Sequence, residues 1–244
     1  MAAHEFLQPD WPAPANVRAA MTTRKGGVSS GRFASFNLAT HVGDDLAAVA
    51  ENRRRLQEAL DLPAEPHWLE QAHAANVVVI PGNSPQAADG VVTFARGAVC
   101  AVLVADCLPV FLASRDGTRA GLAHAGWRGL AAGIVEATIA KLDCDPKDLV
   151  AWLGPSIGAT AFEVGDDVRS AFVADDPGSA AHFQTGHADR FLADLPSLAS
   201  RRLTGAGITD IRGSGRCTVS EPARFYSHRR DGRTGRMAAL LWLA

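Results

Sequence analysis

Apolar residues along the 244-residue chain fall into short continuous runs and longer helical stripes. Val77–Ile80, Val91–Phe94, Val99–Val104, Val110–Ala113, Arg119–Ala123, Val150–Leu153, Ile208–Ile211 and Met237–Leu243 read as strands, because short β-branched or apolar runs bounded by turn residues suit buried sheet positions. Pro81-Gly82-Asn83 stops the first of these. Ser114–Thr118 is a turn that predicts a hairpin between its two neighbours. Helical spacing marks Leu46–Leu60, where Val49, Arg53 and Leu56 recur and Asp44 or Asp45 can cap the start. It also marks Leu130–Leu142, where Leu130, Ile134, Thr138 and Leu142 fall every four residues beside Val135 and Ile139. Glu163–Val173 and Asp194–Leu203 read as helices, the second ended by Gly205 and Gly207. Strands mixed with helices, without regular β-α-β alternation or any internal repeat, predict a single α+β domain.

Composition narrows the classes open to this chain. Hydrophobic residues make up 47% and charged residues 20%, enough for a sizeable core in a globular protein. The formal net charge of −2, with no basic block, argues against a phosphate-neutralising nucleic-acid surface. No apolar run approaches the roughly 18 residues of a membrane span. The segment from Met1 to Trp11 carries His4, Glu5 and Asp10 and lacks a signal-peptide core, so a cytoplasmic location is expected. The four cysteines form no CxxC pair and read as thiols. Cys100 lies within an apolar run as a small hydrophobe. Cys144 sits in a turn between Asp143 and Asp145, whose carboxylates raise its pKa and make it a poor nucleophile.

The densest chemistry is in Val104-Ala105-Asp106-Cys107-Leu108-Pro109 and Ala123-His124-Ala125-Gly126-Trp127-Arg128-Gly129. A cysteine just past one apolar run and a histidine at the end of another can form a nucleophile–base pair or two ligands of a soft metal. Gln71-Ala72-His73-Ala74 offers a second histidine. Each also has a plain reading, as a buried thiol or a satisfied core imidazole. Asp106 beside the cysteine is unusual core filling. Separations of 34 residues (His73 to Cys107) and 17 residues (Cys107 to His124) match no local metal motif. The helix after Gly126–Gly129 begins with free N–H groups that favour an anion. Thr22-Thr23-Arg24-Lys25-Gly26-Gly27-Val28-Ser29 is Gly-rich but lacks the P-loop pattern. The stretch from Phe225 to Arg236 holds four arginines and His228, and reads either as a solvated loop or as an anion-binding one; Glu163–Asp167 is its acidic counterpart.

Five segments together resemble the laccase-domain family, also called multicopper polyphenol oxidoreductases and YfiH-like purine nucleoside phosphorylases. They are Thr22–Ser29 with Asn37-Leu38 and His41–Asp45, then Gln71–His73, Ala105–Pro109, His124–Gly129 and Phe225–Met237. The resemblance spans nearly the whole chain and implies a single α+β domain with layered mixed sheets and flanking helices. It implies a zinc site on His73, Cys107 and His124, with copper as the second choice. It also implies phosphorolysis of adenosine, inosine, guanosine and methylthioadenosine, and deamination of adenosine. Two departures stand out. Ala74 replaces a common glycine, and Gly154–Gly165 carries Thr160-Ala161 where many members have two cysteines, which removes two soft ligands a copper cluster could use.

Two imidazoles and a thiolate leave zinc an open position, the catalytic arrangement. For deamination a carboxylate must shuttle a proton, and Glu163 and Asp106 are the candidates. For phosphorolysis Arg24, Arg229 and Arg230 are the candidate phosphate ligands, and Asn37 and Gln71 could read ribose or base edges. The expected partners are purine nucleosides and phosphate, in a monomer or weak homo-oligomer. Three rival readings remain: a zinc-free cysteine hydrolase using Cys107 and His124, a copper phenol oxidase, and a non-enzymatic nucleoside-binding protein. The oxidase must find its cluster among eight histidines, of which His4, His67, His182 and His187 lie outside the matched segments.

Overall fold

Alternate residues of the buried strands face different cores, and this alternation builds the layers. The structure is a computed structural model and describes residues 4–82 and 87–244; the turn read at Pro81-Gly82-Asn83 runs beyond the described residues at its last position. In chain order the elements are β1 (Phe6–Leu7), β2 (Val17–Thr22), α1 (Leu46–Leu60), β3 (His67–Trp68), β4 (Val77–Ile80), β5 (Gly90–Thr93), β6 (Val99–Val104), β7 (Leu108–Ser114) and β8 (Ala120–Ala125). There follow α2 (Trp127–Ala131), α3 (Ile134–Leu142), β9 (Leu149–Leu153), β10 (Glu163–Val164), α4 (Asp166–Val173), β11 (Phe183–Thr185), β12 (Phe191–Ala193), α5 (Leu195–Gly205), β13 (Asp210–Gly213), α6 (His228–Asp231) and β14 (Met237–Leu243). One mixed sheet has the order β1-β2-β14-β6-β3. A second has β13-β9-β7-β8-β5-β4, and a small third sheet is β10-β12-β11.

Cys100, Val102 and Val104 of β6 pack with Phe111 and Ala113 of β7 and Leu122 of β8, so the two large sheets lie face to face. Val99, Ala101 and Leu103 turn the other way, onto Leu56 of α1 and onto Phe36 and Leu38. Val110 and Leu112 turn onto α3 and α5, through Ile134, Ile139, Leu198 and Leu203. The order of layers is helix, sheet, sheet, helix. Strands covered on both faces read as unbroken apolar runs, which is why β6 and β14 were legible from sequence. This is the single-domain α+β architecture with mixed sheets that the sequence predicts. Among the described residues no helix is long and apolar enough to cross a membrane.

Four differences have local causes. The stripe over Leu130–Leu142 is two helices, α2 and α3, because Gly133 takes the left-handed conformation (φ 89°, ψ 28°) between them. The apolar residues keep their spacing, so periodicity alone could not reveal the break. Glu163–Val173 is not one helix: Glu163 and Val164 form β10, and helix begins at Asp166. The strand read at Ile208–Ile211 is β13, shifted to Asp210–Gly213 and parallel to β9. Strand β2 escaped notice because Arg18 and Ala19 interrupt its apolar character, yet it pairs along five residues of β14.

A β-carbon on Gly133 would meet nothing closer than Glu136 at 3.6 Å, so the cost of adding one is conformational rather than steric. Gly133→Ala is expected to lower stability by about 1–2 kcal/mol, read as a lower urea midpoint with an unchanged m-value.

Candidate active site

The link from β6 to β7 passes from one large sheet to the other in three residues, Ala105 to Cys107. So short a crossover needs a sharp reversal, and Asp106 supplies it at φ 92°. A non-glycine residue holds that conformation only when its surroundings fix it. Here the Asp106 carboxylate accepts the Thr218 hydroxyl at 2.5 Å and the Arg229 N–H at 2.7 Å, and its carbonyl accepts the Ile157 N–H at 2.9 Å. Cys107 is thereby fixed at the mouth of β7. His124 lies on the adjoining β8, in register with Pro109. His73, on the loop after β3, also has a left-handed backbone (φ 58°).

Asp89 brings these groups together. Its carboxylate is fully buried just before β5. One oxygen accepts His124 Nδ1–H at 2.8 Å and the His73 N–H at 2.9 Å. The other accepts the N–H groups of Ala72 at 3.0 Å and Ala74 at 2.8 Å. The His73 loop and the His124 ring are therefore held by one carboxylate, which leaves His124 Nε2 as the ring's remaining nitrogen. His73 Nε2 lies 3.8 Å from Cys107 Sγ. One donor atom each from His73, Cys107 and His124 falls within 4.8 Å of the others. The two imidazoles meet edge to face, with centroids 4.8 Å apart.

Gly126 completes the approach: a β-carbon there would stand 2.9 Å from Cys107 Sγ and 3.0 Å from the His73 ring. Burial alone would push the Cys107 thiol up, but the charge and hydrogen bonds of His124 and His73 outweigh it and bring the thiol below its ordinary value. Burial acts to lower His124, and the Cys107 thiolate and Asp89 overcome it to raise the ring. Burial acts to raise Asp89, and its bonds from His124, Ala74 and His73 hold it below the usual carboxylate range. A cysteine sulfur between two imidazoles, one backed by a carboxylate, could hold a metal ion.

Two cavities meet at this cluster. One, of about 310 Å³, is lined by His41, Arg128, His228 and Arg236 as well as the cluster and Gln71. Among the described residues none of these four side chains makes a salt bridge. Arg236 gives Nη1 to the carbonyls of Thr234 and Gly235; Arg128 stacks over Trp127 with its guanidinium carbon 4.4 Å from the ring centre. The other cavity, of about 140 Å³, is an apolar cleft walled by Trp127, Ile157, Phe162 and Leu195. Ala105, Cys107 and His228 line both.

The remaining sequence candidates are placed differently. Gln71 pairs its amide both ways with the Leu103 backbone, at 2.7 and 2.8 Å, and so extends the sheet edge beside the cavity. Asn37 is buried and engaged with Ala39, Asp44 and the Arg236 N–H. Arg24 donates to the carbonyls of Ala34 and Pro222, and Arg230 to those of Thr218, Val219 and Phe225. Arg229 borders the apolar cleft, lies over Phe162 and donates to the Glu163 carbonyl. Asn37, Arg24, Arg230 and the exposed Glu163 line neither cavity. Sequence reading missed Asp89, and it did not single out His41, Arg128, His228 or Arg236 within the segments that contain them. The one signal for Asp89 was an Asp-Gly pair just before a β-branched run, which also describes an ordinary turn.

Residues 18–244 match the family model described as multi-copper polyphenol oxidoreductase laccase. A purine nucleoside phosphorylase of Pseudomonas aeruginosa is 50% identical over 239 residues, 98% of each chain. The purine nucleoside phosphorylase YfiH of Escherichia coli is 46% identical over 241 residues, 98% of this chain and 99% of the relative. Among solved structures, a Neisseria meningitidis protein superposes with a TM-score of 0.93 at 48% identity, covering 98% of both chains. YlmD from Geobacillus stearothermophilus gives 0.90 at 34% identity, covering 99% of both. With the match running through both large sheets and every residue of the His-Cys-His cluster, the chain belongs to the multi-copper polyphenol oxidoreductase laccase family, whose near relatives here are named purine nucleoside phosphorylases.

Proposed function

We propose that this chain is a metal-assisted purine nucleoside phosphorylase. It takes adenosine, inosine, guanosine or methylthioadenosine with phosphate and releases the free base and a sugar 1-phosphate; the same centre deaminates adenosine with water. The observation that carries this reading is the junction, at Cys107 and His228, between an apolar cleft and a cavity lined by two arginines that form no salt bridge. A purine needs flat apolar walls, and Trp127 and Phe162 offer them. Phosphate needs cations with free donors, and Arg236 and Arg128 offer guanidinium groups that no carboxylate holds in a salt bridge. The sugar carbon under attack then lies between the two. The names of the relatives support phosphorolysis.

His73, Cys107 and His124 would hold zinc, the ion that best suits two imidazoles and a thiolate, with copper the next choice. When bound, zinc supplies a Lewis acid that lowers the pKa of water to about 7, as deamination requires. Asp89 keeps the His124 imidazole and the His73 loop in place, and Asp106 keeps Cys107 at the junction. The second reading is a zinc-free cysteine hydrolase. It is favoured by the line Asp89–His124–Cys107, in which a buried carboxylate orients an imidazole beside a thiol of lowered pKa.

Protein purified without added metal is expected to carry about one zinc per chain, and Cys107→Ser to lose metal and turnover together. Elemental analysis alongside release of free base from inosine checks this. Full turnover after chelation, with an electrophile labelling Cys107, would establish the hydrolase instead.

Arg236→Met is expected to raise the phosphate KM by at least about tenfold, the worth of a charge-assisted hydrogen bond. Adenosine deamination, which uses water, should change much less. Steady-state kinetics of both reactions decide it; an unchanged phosphate KM would remove the cationic cavity as the phosphate site.

A further inference from the structure

Breaking a glycosidic bond to a purine leaves an electron pair on the base, and the base departs readily only if a ring nitrogen takes up a proton. Among the described residues, the titratable groups bordering the apolar cleft are Asp106, Cys107, His228 and Arg229. Both carboxylate oxygens of Asp106 are engaged, by Thr218 and by the Arg229 N–H. Cys107 belongs to the His-Cys-His cluster. A guanidinium does not give up its proton. His228 is left.

The backbone around His228 is fixed from both sides. Ser227 caps the short helix by accepting the Arg230 N–H at 3.1 Å, and the next residue, Arg229, donates its N–H to Asp106. The His228 ring is fixed as well. Nδ1 lies 2.8 Å from the Gly232 carbonyl, an acceptor only, so Nδ1 carries the hydrogen. Nε2 is the one ring nitrogen free to act, on a side chain that lines both the cationic cavity and the apolar cleft.

We propose that His228 is the proton donor to the departing purine, a role that rests on the phosphorylase reading above. A phosphate oxygen bonds to C1′ while the C1′–N9 bond breaks. The electron pair passes into the purine, and a ring nitrogen takes the Nε2 proton, so the base leaves neutral. Phosphate enters as HPO₄²⁻ and the sugar 1-phosphate leaves without that proton. Neutral His228 recovers it, and protons balance over the turnover.

The test compares wild type with His228→Asn, whose amide N–H can replace Nδ1–H toward Gly232, on inosine and on 7-methylguanosine at saturating phosphate. The methylated base leaves as a neutral molecule without needing a proton. The substitution is expected to lower kcat on inosine by about a hundredfold or more, the usual worth of a general acid, while 7-methylguanosine loses less than about fivefold and the phosphate KM stays within about threefold. Equal loss on the two substrates, or a loss on inosine of under about fivefold, would overturn the assignment. If the asparagine variant does not fold, the same comparison is read on His228→Gln. Wild-type protein that releases no base from inosine at any phosphate concentration would overturn the phosphorylase reading itself and this role with it, an outcome visible before any substitution is made.

Discussion

Four hydrogen bonds converge on the buried carboxylate of Asp89, and the cluster takes its shape from them. Three come from successive backbone N–H groups and one from an imidazole. A buried charge is tolerable only when its oxygens are filled in this way, and each donor it fixes would be left unsatisfied without it. The arrangement holds the His73 loop in a left-handed turn that its sequence would not choose, and it settles which nitrogen of His124 faces Cys107. The thiol sits below its ordinary pKa because two imidazoles stand where this carboxylate puts them.

The layers explain why that cluster can exist beside a tightly packed core. Two sheets pressed face to face have no room for polar groups between them, and the residues there are apolar or small, such as Cys100, Val102, Ala113 and Leu122. Polar chemistry is displaced to the sheet ends, where strands stop and connections cross. Cys107 stands at one such crossing and His124 at the end of the neighbouring strand. Asp106 serves as the bracket of that crossing, which accounts for a carboxylate at a buried position without giving it any free oxygen for proton transfer.

Much of this was legible in the sequence. Unbroken apolar runs marked β6, β7, β8, β9 and β14, because both faces of these strands are covered. The cysteine and the two histidines stood out because each sits at the end of a predicted element, and His124 stands beside a Gly-rich turn that a packed strand does not need. What escaped reading depends on contacts distant along the chain. Arg24 and Arg230 look like anion ligands in a string of letters, yet they donate to backbone carbonyls, in one case 198 positions away. Arg236 looks no different, yet it faces a cavity without a carboxylate. A guanidinium advertises its charge in sequence but not its partners. Gly133 divides a helix whose apolar period continues undisturbed, and Asp89 resembles any turn aspartate until the loop it holds is seen.

The crossover at Ala105–Cys107 also bears on how such a chain can change over generations. One sheet leads into the His73 loop through β3, while the other carries His124 on β8 and has Cys107 at the entry to β7; Arg236 arrives only beside the last strand, β14. The His-Cys-His cluster lies within residues 73–124, but His228 and Arg236 of its cavity come from near the chain's end, so no contiguous half of the polypeptide contains the cluster with its complete cavity. Such a centre cannot be inherited in pieces or joined to other modules by recombination at a midpoint. It passes on as one indivisible length, which accords with relatives and solved structures that align along 98% or more of this chain.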